Sequence, residues 1–195
     1  MEQFTELTRE QIIEVYETLM PHDFPDSEIK PLKLILNCYD KGYYCAFGIL
    51  EEGRIQAYAL LCRAAEQNAL LLDYLAVHST VRGLGYGSRM LRELQQHYTD
   101  SIYPELIIEV ESLEAAQNDE ERFIRRRRIH FYEKNGLIVT NVRSIVVGTA
   151  FTLLILPLQS PSAEEALTSR YSSIYKTMMR EDMFQKYVHV WISST

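Results

Sequence analysis

The stretch that decides the fold is LLLDYLAVHSTVRGLGYGSRML, residues 70–91. An apolar run comes first, then a loop with glycines at 83, 85 and 87, and then an amphipathic pattern that continues to Tyr98. This order predicts a strand, a tight loop and a helix. Glycines let the loop turn and leave backbone N–H groups uncovered, and a helix start adds unpaired N–H groups and a positive dipole end. The segment therefore predicts a pyrophosphate site.

The spacing within this loop excludes the two common nucleotide-binding motifs. A dinucleotide loop has glycines at its first, third and sixth positions, but Ser88 occupies the sixth position here. A Gly-Lys-Ser/Thr phosphate loop does not occur in the chain. The loop matches Arg-x-x-Gly-x-Gly instead, filled by Arg82, Gly85 and Gly87 after a strand that ends Leu-Ala-Val.

A second motif, FYEKNGL at residues 131–137, follows later in the chain. In their order and spacing, the two motifs resemble the GNAT acetyltransferase superfamily, which has Arg-x-x-Gly-x-Gly in its coenzyme A loop and Phe-Tyr-x-x-x-Gly-Phe at a helix end. Leu137 replaces the final Phe, which is a conservative apolar change. The resemblance extends over about residues 4–158.

The resemblance implies an α/β fold with a mixed, mostly antiparallel central sheet that is flanked by helices and splayed between the fourth and fifth strands. The hydrophobic patterns predict strands at 4–7, 43–50, 54–63, 69–78, 104–111, 138–147 and 149–158. They predict helices from 8 to before Pro21, from Pro25 to about 39, after the glycine loop to about 98, and at 118–134. We expect an acetyltransferase domain at 1–158 and a C-terminal helical extension at 159–195 that packs on the domain or forms a homodimer contact.

Composition limits the class of protein. A chain of 195 residues with 47% hydrophobic content can bury one substantial core. Its net charge of −7 argues against wide contact with nucleic acid or an anionic membrane. Three cysteines without a Cys-x-x-Cys pair favour a reducing setting, and neither a secretory signal nor an apolar run of membrane-spanning length is visible. We therefore expect a cytoplasmic protein.

The resemblance also assigns the residues that bind the coenzyme. It implies that the pantetheine arm lies between the splayed strands and contacts the backbone of Leu75, Ala76 and Val77. The residues of the loop that are expected to bind the pyrophosphate are Arg82, Gly83, Leu84, Gly85, Tyr86, Gly87 and Ser88. It further implies that the early helical pair forms one wall of the acceptor site, here within residues 21–34.

Tyr132 is the residue that matches the general acid of the family. A phenol with a pKa near 10 is protonated at pH 7 and can donate its proton to the departing thiolate. The alternative is a half-buried tyrosine at a helix end, which is common in any fold.

Two carboxylates are candidates for the general base. Glu109 and Glu111 share one face of a predicted strand, about 7 Å apart. Such a pair can hold a cationic amine and remove its proton, and the alternative is a pair of solvated strand-end charges. Further candidates for the base or for the lining of the acceptor pocket are His78, His130, Asp73 and Tyr74.

These observations predict an acetyl-CoA-dependent N-acetyltransferase that transfers directly in a ternary complex, without a metal. A covalent acetyl-enzyme is disfavoured because no cysteine or serine occupies a recognisable nucleophile motif. We expect the acceptor to be the primary amine of a small molecule. The alternatives are a protein or peptide N-acetyltransferase and a non-catalytic sensor that binds acyl-CoA.

Overall fold

The chain contains both helices and strands in the computed structural model, which describes residues 2–160 and 162–193. The helices are α1 (Arg9–Thr18), α2 (Met20–Asp23), α3 (Leu32–Asp40), α4 (Tyr86–Tyr98), α5 (Asp119–Lys134), α6 (Glu164–Met178) and α7 (Glu181–Tyr187). The strands are β1 (Glu2–Glu6), β2 (Tyr44–Glu51), β3 (Arg54–Ala64), β4 (Ala69–Val77), β5 (Glu105–Glu111), β6 (Ile138–Val146), β7 (Thr149–Pro157) and β8 (Val188–Ile192).

The strands follow the order β1-β2-β3-β4-β5-β7-β6-β8 in one mixed sheet. Neighbouring strands are mostly antiparallel, and β4 and β5 are parallel. This arrangement confirms the predicted α/β class with a mostly antiparallel sheet flanked by helices. The splay between β4 and β5 stays a prediction.

The chain divides into two compact units. The first holds the described residues up to Arg63 together with Leu72–Gln96, and the second holds Ala64–Leu71 and the described residues from His97 onward. The division at residue 158 stays a prediction, and the C-terminal extension belongs to the second unit.

In the first unit, β1, β2 and β3 form an antiparallel meander. Glu2 lies opposite Glu51 in the β1–β2 pair. Glu52 and Gly53 make the predicted hairpin turn between β2 and β3, with φ angles of 50° and 79°. Cys38, Cys45 and Cys62 are buried in this unit and are not joined by a disulfide. Its buried apolar side chains include Ile12, Val15, Ile35, Phe47, Tyr58 and Leu60.

The early helices follow the sequence prediction in part. Thr8 caps α1 in a capping box with Gln11, and α1 ends before Pro21, both as expected. The second helical piece does not begin at Pro25, however, because α3 begins at Leu32. Pro31 disfavours a helical conformation in the residue before it, so the helix starts only after this proline.

In the second unit, β5, β7, β6 and β8 pair in antiparallel fashion. Glu111 lies opposite Phe151 in the β5–β7 pair, and a turn at Val147 and Gly148 joins β6 to β7. The sequence predicted a helical extension, but the extension is not wholly helical, because it also contains the strand β8. This strand pairs with β6, with Val146 opposite Val188. A run of only five residues, Val188–Ile192, is too short for its alternation to be distinguished from the preceding helical pattern.

Candidate active site

The glycine loop follows β4 directly. The ring Nδ1 of His78 lies 2.8 Å from the Thr80 hydroxyl and accepts from the Thr80 backbone N–H at 3.4 Å. The His78 backbone N–H donates to the Gln56 carbonyl of β3 at 2.8 Å. His78 therefore caps the turn that leads into the loop, and this contact engages its Nδ1.

Two glycines of the loop have backbone conformations that other residues rarely adopt. The φ angle is +83° at Gly83 and +91° at Gly85, and a Cβ at either position would meet nothing within 4 Å. Both residues are exposed, as is Leu84 between them. The protein thus leaves open space on the loop, into which a ligand can approach the backbone closely.

The first turn of α4 supplies N–H groups beside this space. The Arg89 N–H donates to the Gly85 carbonyl at 2.9 Å, so Gly85 is the residue at which the helix begins. The N–H groups of Tyr86, Gly87 and Ser88 therefore have no carbonyl partner within the helix. A positive helix end with three open donors after a glycine loop fits a pyrophosphate group.

The side chain of Tyr86 anchors this turn to the strands β1 and β2. It is buried, and its hydroxyl lies 3.0 Å from a Glu2 carboxylate oxygen and 3.3 Å from one of Glu51. The hydrogen bond to Glu2, with burial, raises the pKa of Tyr86 to about 12. Arg89 forms an ion pair with Glu2 as well. The carboxylates of β1 and β2 thus fix the start of α4 and leave its backbone N–H groups for a ligand.

Arg82, at the head of the loop, is already engaged. Its Nε donates to the Val77 carbonyl at 3.1 Å, and Nη2 donates to Asp23 Oδ1 at 2.6 Å. The other Asp23 oxygen accepts from the Tyr58 hydroxyl at 3.0 Å. Val77, Ala76 and the half-buried Leu75 lie at the end of β4, and their contacts with a pantetheine arm stay predictions.

Tyr132 lies near the end of α5 and is only 9% exposed. Burial raises its pKa to about 12, against the opposing charge of Arg128. Its ring packs edge-on against Phe131, with centroids 5.2 Å apart. Within the described part of the chain, no residue forms a hydrogen bond with the Tyr132 hydroxyl. The group is thus protonated at neutral pH and has its proton available for a ligand.

Glu109 lies under helix α6. Its Oε1 accepts from the Tyr175 hydroxyl at 2.7 Å and also from the Tyr171 hydroxyl. Tyr171 lies 2.8 Å from the Ser144 hydroxyl of β6 as well. Burial, and then the Glu109 carboxylate, raise the pKa of Tyr171 well above its usual value, so this hydroxyl keeps its proton. The extension therefore supplies both hydroxyls that orient Glu109.

Glu111 is held by arginines of α5. Arg125 Nη2 lies 2.9 Å from Glu111 Oε1, and Arg128 Nη1 lies 3.7 Å from Oε2. Two arginines of α5 thus pair with this carboxylate. His130, the other base candidate of this unit, is exposed and lies 4.0 Å from Glu133. Glu109 and Glu111 share a strand face, as expected, but different helices hold them.

Asp73 and Tyr74, expected near the acceptor pocket, both contact the segment before α3. Lys30 Nζ lies 2.6 Å from Asp73 Oδ1, and the Tyr44 hydroxyl donates to Oδ2. Tyr74 accepts from the Lys30 N–H at 2.9 Å and donates to the Glu28 carbonyl at 2.7 Å. Burial disfavours the charged form of Lys30, but the Asp73 carboxylate, together with Tyr74 and Cys62, outweighs burial and raises the pKa of Lys30. The Asp73 carboxylate therefore holds the segment in place and has no oxygen without a partner.

Several contributors were not anticipated from the sequence. Asp23, Lys30, Tyr171 and Tyr175 contact the predicted site residues although each is far from them along the chain. Tyr171 and Tyr175 are four residues apart, which places them on one helix face and is the only sequence pattern that could have indicated a shared partner.

The described residues lack two kinds of feature. Within residues 2–160 and 162–193, no helix is long and apolar enough to cross a membrane. The same residues contain no group of three histidine, cysteine, aspartate or glutamate side chains that could hold a metal ion.

Comparison with known proteins bears on the family and the fold. The family model described as an acetyltransferase (GNAT) domain matches residues 42–137. One solved structure that the chain resembles is named "putative acetyltransferase from GNAT family" and comes from Bacteroides thetaiotaomicron. The two chains are 18% identical, with a TM-score of 0.67, and the likeness covers 87% of this chain and 94% of that one. Among curated protein sequences, none matches significantly.

Two further solved structures carry named activities. The ribosomal-protein-S18-alanine N-acetyltransferase from Escherichia coli is 18% identical, with TM-score 0.60 and coverage of 83% of this chain and 97% of that one. An aminoglycoside 6'-N-acetyltransferase complexed with coenzyme A is 14% identical, with TM-score 0.58 and coverage of 83% and 99%. At such identities the likeness supports the fold alone.

Proposed function

Because the family model of the GNAT acetyltransferase domain matches residues 42–137 of this chain, we propose that the protein transfers the acetyl group of acetyl-CoA to a primary amine of a small molecule, directly and within a ternary complex. The observation that carries the proposal is the loop before α4. Its two glycines with positive φ, at 83 and 85, border open space beside the N–H groups of a helix start. This arrangement suits a pyrophosphate, the group by which coenzyme A is held.

Acetyl-CoA supplies the acetyl group as an activated thioester, and the side chains of the protein manage the protons. The Tyr132 hydroxyl donates its proton to the departing thiolate. Burial raises the pKa of the phenol, which keeps its proton at every pH up to about 10. Among the described residues the hydroxyl has no hydrogen-bond partner, so no hydrogen bond has to break before it donates the proton. Tyr132 is therefore the proposed general acid.

Glu109 and Glu111 are the proposed candidates for the base that takes a proton from the amine. Glu109 has fixed hydroxyl donors and Glu111 has fixed guanidinium partners, so each carboxylate is oriented. An oriented carboxylate can accept the ammonium proton directly or through a water molecule. The net charge of −7 suits a cationic acceptor better than an anionic one.

Two other functions, acetylation of a protein or peptide and non-catalytic binding of acyl-CoA, are alternative outcomes of a thiol-release assay. The S18-alanine enzyme acts on a protein, and the aminoglycoside enzyme acts on a small amine, so the fold serves both. A sensor that binds acyl-CoA without catalysis needs the loop but not an available Tyr132 hydroxyl. Thiol release from acetyl-CoA, measured with a mixed panel of polyamines, amino acids, amino sugars and peptides, separates the three. Release without any acceptor in the panel, or no release at all, contradicts the proposed function.

Coenzyme binding is tested in the loop itself. Gly85→Val and Gly87→Val should abolish coenzyme A binding in calorimetry while the protein stays folded. A β-branched side chain blocks approach to the backbone at both positions, and at Gly85 it also meets a φ of +91°. Gly53→Val is the control, because its φ of +79° applies similar strain in the β2–β3 hairpin. Wild-type affinity in both loop variants would remove this loop from the site.

A further inference from the structure

Two groups converge on the carboxylate of Asp23, the last residue of α2. Arg82 Nη2 lies 2.6 Å from Oδ1, and the Tyr58 hydroxyl lies 3.0 Å from Oδ2. The Asp23 side chain is 6% exposed, whereas the Arg82 side chain is 55% exposed. Both carboxylate oxygens are thus occupied, and the ion pair is sheltered at the aspartate end, where it is less screened than a surface pair.

The other end of the Arg82 side chain is fixed to the backbone. Nε donates to the Val77 carbonyl at 3.1 Å, which is the last residue of β4. Two of the five N–H donors of the guanidinium, on different nitrogens, are therefore directed at α2 and β4. A guanidinium held in this way does not present the Nε–Nη2 edge that would form one of its bidentate contacts with a phosphate.

We propose that Asp23 is a positioning residue for the coenzyme loop, and that it holds Arg82 as a strut between α2 and the end of β4. The strut fixes the chain between Val77 and Arg82, directly before Gly83, so that the backbone N–H groups of the loop meet the pyrophosphate in a preformed arrangement. In this arrangement Arg82 positions the loop, and its charge is not the main partner of the pyrophosphate. The inference rests on the proposed function, because it presupposes that this loop binds coenzyme A.

The variant Asp23→Asn separates the two roles by the sign of its effect. If Arg82 were a direct phosphate ligand, Asp23 would compete for it, and Asp23→Asn would tighten coenzyme A binding. The strut predicts the opposite: the dissociation constant for coenzyme A in calorimetry rises at least about fivefold, as coupled sites usually show. Asp40→Asn is the control, since it removes the same charge from the exposed Arg9–Asp40 pair of α1 and α3.

A second pair of variants keeps the test decisive if Asp23→Asn is poorly folded. Arg82→Lys keeps the charge but cannot make both contacts, because the ammonium is a single point. The strut predicts that Arg82→Lys loses as much coenzyme A affinity as Arg82→Gln, and that hydrogen exchange of the α2 amides speeds up in both variants. A charge ligand predicts near wild-type affinity in Arg82→Lys.

The outcomes also distinguish this inference from the proposed function. If the wild-type protein binds coenzyme A, and Asp23→Asn binds it equally or more tightly, or Arg82→Lys retains wild-type affinity, the strut is overturned and the proposed function stands. If the wild-type protein does not bind coenzyme A, both fail. Weaker binding in Asp23→Asn and Arg82→Lys, with normal binding in Asp40→Asn, supports the strut.

Discussion

Tyr132 differs from the other buried tyrosines in what its hydroxyl contacts. Tyr44 donates to Asp73, Tyr58 to Asp23, and Tyr171 to Glu109. The Tyr132 hydroxyl has no such partner among residues 2–160 and 162–193. A hydroxyl without a partner in the protein contributes little to folding, so its removal should affect a ligand and not the fold.

The variant Tyr132→Phe should therefore lower turnover at least tenfold, because a general acid typically contributes about 10²–10⁴-fold in rate. The Michaelis constant for acetyl-CoA should stay within a few-fold, because the interaction is made mainly in the transition state. The melting temperature should stay at the wild-type value. Steady-state kinetics and thermal unfolding on one preparation measure all three.

The stability control for this test is Tyr44→Phe. It removes a hydroxyl that donates to the buried Asp73 carboxylate and should lower the melting temperature. A stable Tyr132→Phe protein with wild-type turnover would exclude Tyr132 from the mechanism.

The base is tested by Glu109→Gln and Glu111→Gln. The variant that lacks the base should lose rate most strongly at neutral pH and recover partly at high pH, where the free amine becomes abundant without help. A loss that is equal at every pH would indicate binding or folding instead. Glu133→Gln, an exposed carboxylate of α5, controls for the change in charge. If neither variant loses tenfold in turnover, His78 or His130 becomes the candidate.

At the scale of elements, α6 is joined to β5 by polar contacts in addition to apolar packing. Glu105 is buried and accepts from the Ser162 hydroxyl at 2.7 Å, and Arg170 lies 3.3 Å from its other oxygen. Glu109 accepts from Tyr171 and Tyr175 of the same helix. The extension therefore supplies hydrogen-bonding and ionic partners to two carboxylates of β5, which makes it part of the core of the second unit.

The variant Arg170→Met should accordingly be strongly destabilising. The Glu105 side chain is 0% exposed, and removing its cation leaves a buried charge, which typically costs about 3–5 kcal/mol in the free energy of unfolding. Urea denaturation measures the loss. The matched control is Arg180→Met in the same extension, whose pair with Asp182 is 79% and 67% exposed and is worth about 0–1 kcal/mol. Equal stability of the two variants would contradict this account of α6.

At the scale of the whole molecule, buried phenols make stability depend on alkaline pH. Burial is the first cause of raised pKa values at Tyr44, Tyr58, Tyr74, Tyr132 and Tyr171. A folded-state pKa above the unfolded value means that the folded protein binds the proton more tightly. The corresponding stability is fully present below about pH 10 and is lost as the pH rises through the folded-state values.

We therefore expect the free energy of unfolding to be steady up to about pH 10 and to fall steeply above it. The phenolate absorbance of these five buried tyrosines should appear together with loss of helical circular dichroism, because they ionise only when the chain opens. Urea denaturation between pH 8 and pH 12 measures the first effect, and parallel absorbance titration measures the second. Phenolate absorbance that accounts for all 13 tyrosines in a protein that remains fully helical would contradict the expectation.

The sequence by itself determined most of the elements and the two motifs, because these depend on local patterns. The alternation of apolar residues set the strands, and the capping box at Thr8 set the start of α1. The glycines at 83 and 85 indicated their own left-handed conformations, because φ above zero is a property of the residue and its neighbours. For the same reason the loop of the candidate site was recognisable without coordinates.

Only the tertiary structure decided which partner each charged or hydroxyl group meets. Arg82 could be read as a phosphate ligand until Asp23 and Val77 were seen to hold it, and Glu109 as an open base until Tyr175 was seen to contact it. The strand β8 also became visible only through its pairing with β6. Such contacts join residues far apart in the chain, and their choice depends on burial and packing, which no local pattern records.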